Sequence, residues 1–192
     1  MSGVDSLRAT MAVALAIGFT LVARAAPSLS VIAMADGVHV RASDLRLLQG
    51  RVLDRLHDGG AARITMRLEL LSHRDAVAMA AAEQTFVVSF DLWEERFAVT
   101  RMGQPARTAS HLTSAAAEAW CIDNVTVPFS ALGAERPAVV WARLIVNART
   151  EPGVREQQDD ALMRRLIDAF SRRTTEEEPP RMLQGGPFRL TS

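Results

Sequence analysis

The chain has no tyrosine, a single cysteine, four histidines and only 5% aromatic residues in 192 positions. Each scarcity removes a class of protein. A lone thiol, Cys121, cannot form an intrachain disulfide, so the fold must stand on its own core. It sits in "AEAWCI" with no histidine near it in sequence, which makes it a buried inert thiol and not a nucleophile. The histidines, His39, His57, His73 and His111, are dispersed, and none has metal-type spacing to another histidine or to the cysteine. No G-x-S-x-G elbow, phosphate loop or G-x-G-x-x-G turn is present. No catalytic residue, cofactor or metal is therefore expected. Lysine is absent as well: all 22 basic residues are arginine, balanced by 22 acidic ones to a formal net charge of +0. The arginines are scattered, so nothing suggests recognition of a nucleic-acid backbone. Arginine without lysine in an alanine-rich chain is what GC-rich coding sequence produces, and a bacterial source is the expectation.

A composition 48% hydrophobic and 23% charged fits one ordinary globular domain with extra segments at its ends. Residues 1–25 read as a secretory signal peptide. Arg8 precedes an uncharged run from Ala9 to Ala23, and Ala23-Arg24-Ala25 satisfies the small-x-small cleavage rule, leaving a mature chain from Ala26. The run falls short of the roughly 17 to 25 residues that span a bilayer. The alternative is an uncleaved segment anchored in the inner membrane. The expected location is accordingly periplasmic or extracellular, with membrane contact only if the segment is retained.

Residues 26–173 read as a single β-rich domain ending in an amphipathic helix, and residues 174–192 as a disordered tail rich in Pro, Gly and charge. Asp36-Gly37 marks a turn between two short apolar runs. Ser43 is the expected cap of a helix whose stripe is Leu45, Leu48, Val52, Leu53 and Leu56, with Gly59-Gly60 as its stop. Alternation through Ile64, Met66, Leu68 and Leu70 predicts a strand with one buried face. Asp75 to Ala82 reads as helix by propensity and strand by position. Thr113 or Ser114 caps a short helix, and Pro128 places a strand near Val125 to Phe129 at an edge. The run Ala138 to Ala148 predicts a central strand buried on both faces. Leu162, Met163, Leu166, Ile167 and Phe170 form the second amphipathic stripe. The fold class is α+β: an antiparallel sheet or small β-sandwich with two or three packed amphipathic helices.

The densest stretch is "FVVSFDLWEERFAVTR", Phe86 to Arg101. Alternation before Trp93 and after Glu95 makes it a hairpin, with Asp91 on the polar face and Glu94 and Glu95 at the turn, where charge is cheaply solvated. Trp93 is the residue that a plain hairpin leaves unexplained, since a large aromatic at a tip can anchor a partner. The candidate partner-binding residues are Trp93, Glu94 and Glu95, with Phe188 in the tail segment "MLQGGPFRL", which could add to an exposed strand edge of its own chain or of another protein.

The helix ending before glycine (Leu53 to Gly59), the strand "RITMRLELL", and "VSFDLWEERFAVTR" with its Phe90-Asp91 pair and its Phe97 to Val99 close together resemble the bacterial exported domain of unknown function 4390 family. The likeness spans roughly Val38 to Gly103. It implies an extracytoplasmic β-rich domain with no established activity and no catalytic residues. The resulting expectation is an exported non-enzymatic domain that binds another envelope or secreted protein. The alternatives are an envelope hydrolase whose site is assembled only in three dimensions, or a carrier of a small apolar ligand.

Overall fold

Alternating side chains on an extended backbone put one apolar row on one face, and that face must be covered. The computed structural model describes residues 28–43, 45–133, 136–151 and 179–190. In it the described chain runs β1 (Ser28–Met34), β2 (Gly37–Ser43), α1 (Arg51–His57), β3 (Ala61–Leu71), β4 (Ala78–Asp91), β5 (Arg96–Arg101), β6 (Arg107–Leu112), α2 (Ser114–Asp123), β7 (Thr126–Pro128), a 3-10 turn (Phe129–Leu132), β8 (Val139–Glu151) and β9 (Arg181–Arg189). Two antiparallel sheets result: β1-β2-β7, and a six-stranded sheet in the order β6-β5-β4-β3-β8-β9.

The rows Ile64, Met66, Leu68 and Leu70 of β3, Phe86 and Val88 of β4, Val99 of β5, and Val140, Ala142 and Leu144 of β8 form the buried floor. The same core holds Val38, Val40 and Val127 from the small sheet, Val52 and Leu56 from α1, and Cys121 and Ile122 from α2. The fold is thus β-rich and antiparallel, as the alternation predicted. Asp75 to Ala82 resolves into a turn and then the start of β4. Pro128 ends β7 at the edge of the small sheet, and Thr113 is the cap of α2, its Oγ1 accepting the Ala116 amide at 3.3 Å.

Four expectations need correction or lie elsewhere. Ser43 is not a helix cap. It ends β2 opposite Ser28, and α1 begins eight residues later behind Gly50, whose φ of 55° suits glycine. Leu45, Leu47 and Leu48 are buried without being helical. The amides of Leu47 and Leu48 each donate to Oε1 of Glu118 at 2.8 Å, so a side chain from α2 ties down this segment. β8 is interior by position, between β3 and β9, but one-sided in burial: Trp141, Arg143 and Ile145 on its other face are partly exposed. The tail is not disordered throughout: Arg181–Arg189 pairs with β8, and Leu183, opposite Leu144, enters the core. Backbone pairing and one buried leucine order a segment whose Pro and Gly content suggested otherwise. The stripe Leu162 to Phe170 lies outside the described residues.

The second face of the six-stranded sheet carries a polar knot at one end. Glu69 is nearly buried, accepting Arg67 Nε at 2.9 Å and Arg143 Nη1 at 3.2 Å. Arg143 Nη2 also donates to the Arg74 carbonyl at 3.4 Å, while the Arg74 guanidinium lies 5.4 Å from the centroid of the Trp141 ring. The knot fastens the turn between β3 and β4 to β8.

Glu118→Ala leaves two buried amides without an acceptor, and each such group costs about 1 to 3 kcal/mol. Unfolding in urea should show a loss of roughly 2 to 6 kcal/mol, with Glu118→Gln, which keeps an acceptor oxygen, recovering most of it. Equal losses in both variants would show that those amides do not depend on this side chain.

Candidate functional site

The β4–β5 hairpin tip is built from its base upward. Phe90 and Phe97 face each other in register, ring centroids 4.8 Å apart, and His57 at the end of α1 lies 4.5 Å from Phe90. These rings form a platform. Above it Asp91 Oδ1 accepts the amides of Trp93 at 2.8 Å and Glu94 at 3.1 Å, closing an Asx-type turn. Glu95 completes the reversal at a φ of 53°, and the chain re-enters the ladder at Arg96, opposite Asp91.

The turn therefore has a fixed backbone and a free crown. Trp93 is 96% exposed and Leu92 beside it 56%. Glu94 reaches sideways to His111 of β6, Oε2 to Nε2 3.0 Å, while Glu95 is exposed. Between Asp91 and Arg96 three carboxylates stand against one arginine, so the apolar crown has an acidic collar.

This arrangement is poor acid-base machinery. The Glu94 amide, and then the Trp93 amide, hold the Asp91 carboxyl below the ordinary carboxylate range. A general acid needs the opposite shift. Trp93, Glu94 and Glu95 come together at the tip, whereas Phe188 is elsewhere: it is partly buried at the rim of the core, opposite Val140. Leu92 was missed by the sequence reading, because alternation assigns it to the buried row and only the turn's early onset after Asp91 turns it outward.

Other polar convergences are few. Asp36 Oδ1 lies 2.8 Å from His39 Nε2, and His39 Nδ1 lies 3.1 Å from Thr126 Oγ1, a carboxylate–imidazole–hydroxyl chain across β2 and β7. The His39 contact holds Asp36 below its ordinary pKa. His39 and Thr126 are cross-strand partners, so the chain also pins the edge strand. Cys121 is buried, and desolvation pushes its thiol up to about 12, far from a thiolate at neutral pH. Among the described residues no three His, Cys, Asp or Glu side chains gather as metal ligands, and no helix is long and apolar enough to cross a membrane. A small hollow is lined by Leu47, Val146, Ala148, Pro179 and Arg181, none of them a residue of the hairpin tip or of the Asp36–His39–Thr126 cluster. Comparison with protein-family models, curated proteins and solved structures finds no match.

Because the folded pKa of Asp91 lies below its ordinary value of 3.8, its support of the turn is present above that value and lost as pH falls through the depressed one. The amide proton shifts of Trp93 and Glu94, followed by NMR, should hold from neutral pH down to about 4 and move only below it. Asp91→Asn should remove that acid step. An unchanged step in the variant would assign it to another carboxyl.

Proposed function

We propose that this protein is an exported, non-enzymatic β-rich domain that binds another envelope or secreted protein through the β4–β5 hairpin tip. One observation carries the reading. Trp93 stands 96% exposed on a turn whose backbone is already fixed by Asp91. A buried tryptophan is among the commonest interface anchors, and a turn ordered in advance loses little further freedom on docking. Leu92 widens the apolar crown, and Glu94 and Glu95 supply a polar rim of the kind that surrounds an interface core. The acidic collar also weighs against an anionic lipid surface as the target, since like charges repel there. Export rests on the N-terminal run and its Ala23-Arg24-Ala25 site.

A second reading, an envelope hydrolase, draws on the nearness of Asp36, His39 and Thr126, although Thr126 Oγ1 lies 3.1 Å from Nδ1 and 3.5 Å from Nε2, against the imidazole and not in line with one ring nitrogen as an activated hydroxyl would be. Its imidazole is partly buried and held between two elements, as a base should be.

The test is in-cell photocrosslinking from position 92 in the full-length chain in its own host, with and without Trp93→Ala. Loss of an anchor of this kind should weaken binding by about 2 kcal/mol or more, roughly 30-fold. The crosslinked partner should then disappear from the variant. Identical partners with and without Trp93 would overturn the tip as the contact. In the same preparation, fluorophosphonate labelling of Thr126 would transfer the assignment to the hydrolase.

A further inference from the structure

β9 is the last strand of the six-stranded sheet, and it differs from the other strands in how it is held. The β3–β4, β4–β5 and β5–β6 connections are short turns that fix which strand pairs with which. Residues 152 to 180 separate β8 from β9, a connection too long to fix the pairing by its length alone as a two-residue hairpin loop does. Of its residues only Leu183 is buried. It is also held by the β8 ladder, by packing of Gly185 against Leu29 of β1 and of Phe188 against the core rim, and by Gln184 Nε2 and Arg181 Nη1 donating to the carbonyls of Arg74 and Arg46.

The place it occupies is selective. A Cβ at Gly185 would come within 2.9 Å of the Leu29 carbonyl oxygen, a backbone atom of β1. A Cβ at Gly186, where φ is +138°, would lie 2.8 Å from the Trp141 ring. Leu183 lies opposite Leu144, and Phe188 lies opposite Val140 at the core rim. The β8 edge therefore accepts an extended segment with a leucine, then two adjacent glycines, then an aromatic, at the spacing of Leu183, Gly185, Gly186 and Phe188. The segment known to carry that spacing is β9.

We propose that β9 is an exchangeable strand, and that the β8 edge it covers accepts the β9 of a second copy, so that two chains pair by trading C-terminal strands. The contacts made are identical in the closed and exchanged forms, so the balance is set by mass action. Tethering gives a chain's own strand an effective concentration of at most about the millimolar range. Exchange is therefore minor in dilute solution and grows as the protein is concentrated or as β9 is loosened.

The experiment uses two full-length variants, Ile145→Cys and Met182→Cys. These positions are directly opposed across β8 and β9, and Met182 is 63% exposed. Cys121, buried, stays silent. The two variants are mixed and treated with a short bismaleimide. A link from position 145 of one chain to position 182 of the other, identified by peptide mass, is the exchanged form. While it is scarce it should rise about a hundredfold for each tenfold rise in protein concentration. The chain carrying both substitutions should close within itself when dilute, which fixes the register. The proposal is overturned if the mixture, carried through partial unfolding and concentrated to about the millimolar range, yields no 145-to-182 link while the doubly substituted chain closes. It is equally overturned if the doubly substituted chain fails to close, because β9 would then not lie on β8.

Discussion

The Glu118 carboxylate is the point on which the arrangement of the layers depends. Helix α2 carries it, yet its hydrogen-bond partners are the Leu47 and Leu48 amides, about seventy residues earlier. By fixing those amides it lets Leu45, Leu47 and Leu48 turn into the core without helical structure. The chain then enters α1 from a set position at Gly50, which places Val52 and Leu56 over the sheet and His57 over Phe90. Phe90 in turn stacks on Phe97 at the root of the hairpin that presents Trp93. A run of contacts thus leads from a buried carboxylate, through one helix and two rings, to the hairpin that carries the exposed tryptophan.

Three glutamates in this molecule show how environment decides what a charge is worth. Glu118 is buried, its Oε1 taking two backbone amides and its Oε2 lying 3.6 Å from Arg46 Nη1 at the surface. Glu69 is almost as buried but lives among arginines, where removing one partner would strand the other charge. Glu94 meets His111 in the open, where even a fully charged pair is worth about 0 to 1 kcal/mol. Only the first two can hold elements together. The third can be given up to a partner at little cost, which is what a residue at a binding rim requires.

The sequence made the local elements legible where the period was clean. β3, β5 and β4 from Phe86 onward follow directly from alternation, the α2 cap at Thr113 or Ser114 from capping chemistry, and the α1 stop from Gly59 and Gly60, whose amides bond back to Leu56 and Arg55 at 3.1 and 3.0 Å. Ser43 misled because a good capping residue is also an acceptable strand end, and only pairing with Ser28 distinguishes the two. Leu45 and Leu48 have helical spacing, but their segment is governed by a carboxylate far along the chain, which no local window contains. β9 was legible only in part: its apolar residues suggested addition to a strand edge, while its composition argued for disorder. Proline and glycine lower any strand prediction, yet at Gly185 and Gly186 the missing side chains are what permit the approach of Leu29 and Trp141. Of the tip, Trp93, Glu94 and Glu95 were readable as turn residues. The platform beneath them, joining α1 to β4 and β5, is purely tertiary.

The tip and the core follow opposite rules. An aromatic side chain buries about 150 to 250 Å² when covered, which at about 25 cal/mol per Å² amounts to several kcal/mol. Trp120 and Trp141 obtain part of this, the first edge-on to Phe86 at 6.0 Å and the second beneath Arg74. Trp93 obtains almost none. A flexible tip could fold its indole back over the sheet, but the Asp91 contacts hold the Trp93 and Glu94 amides in a turn that points the crown outward. Part of the chain's hydrogen bonding is thus spent keeping a large apolar surface in water. That combination gives no advantage to the isolated fold and a direct one to a surface that docks.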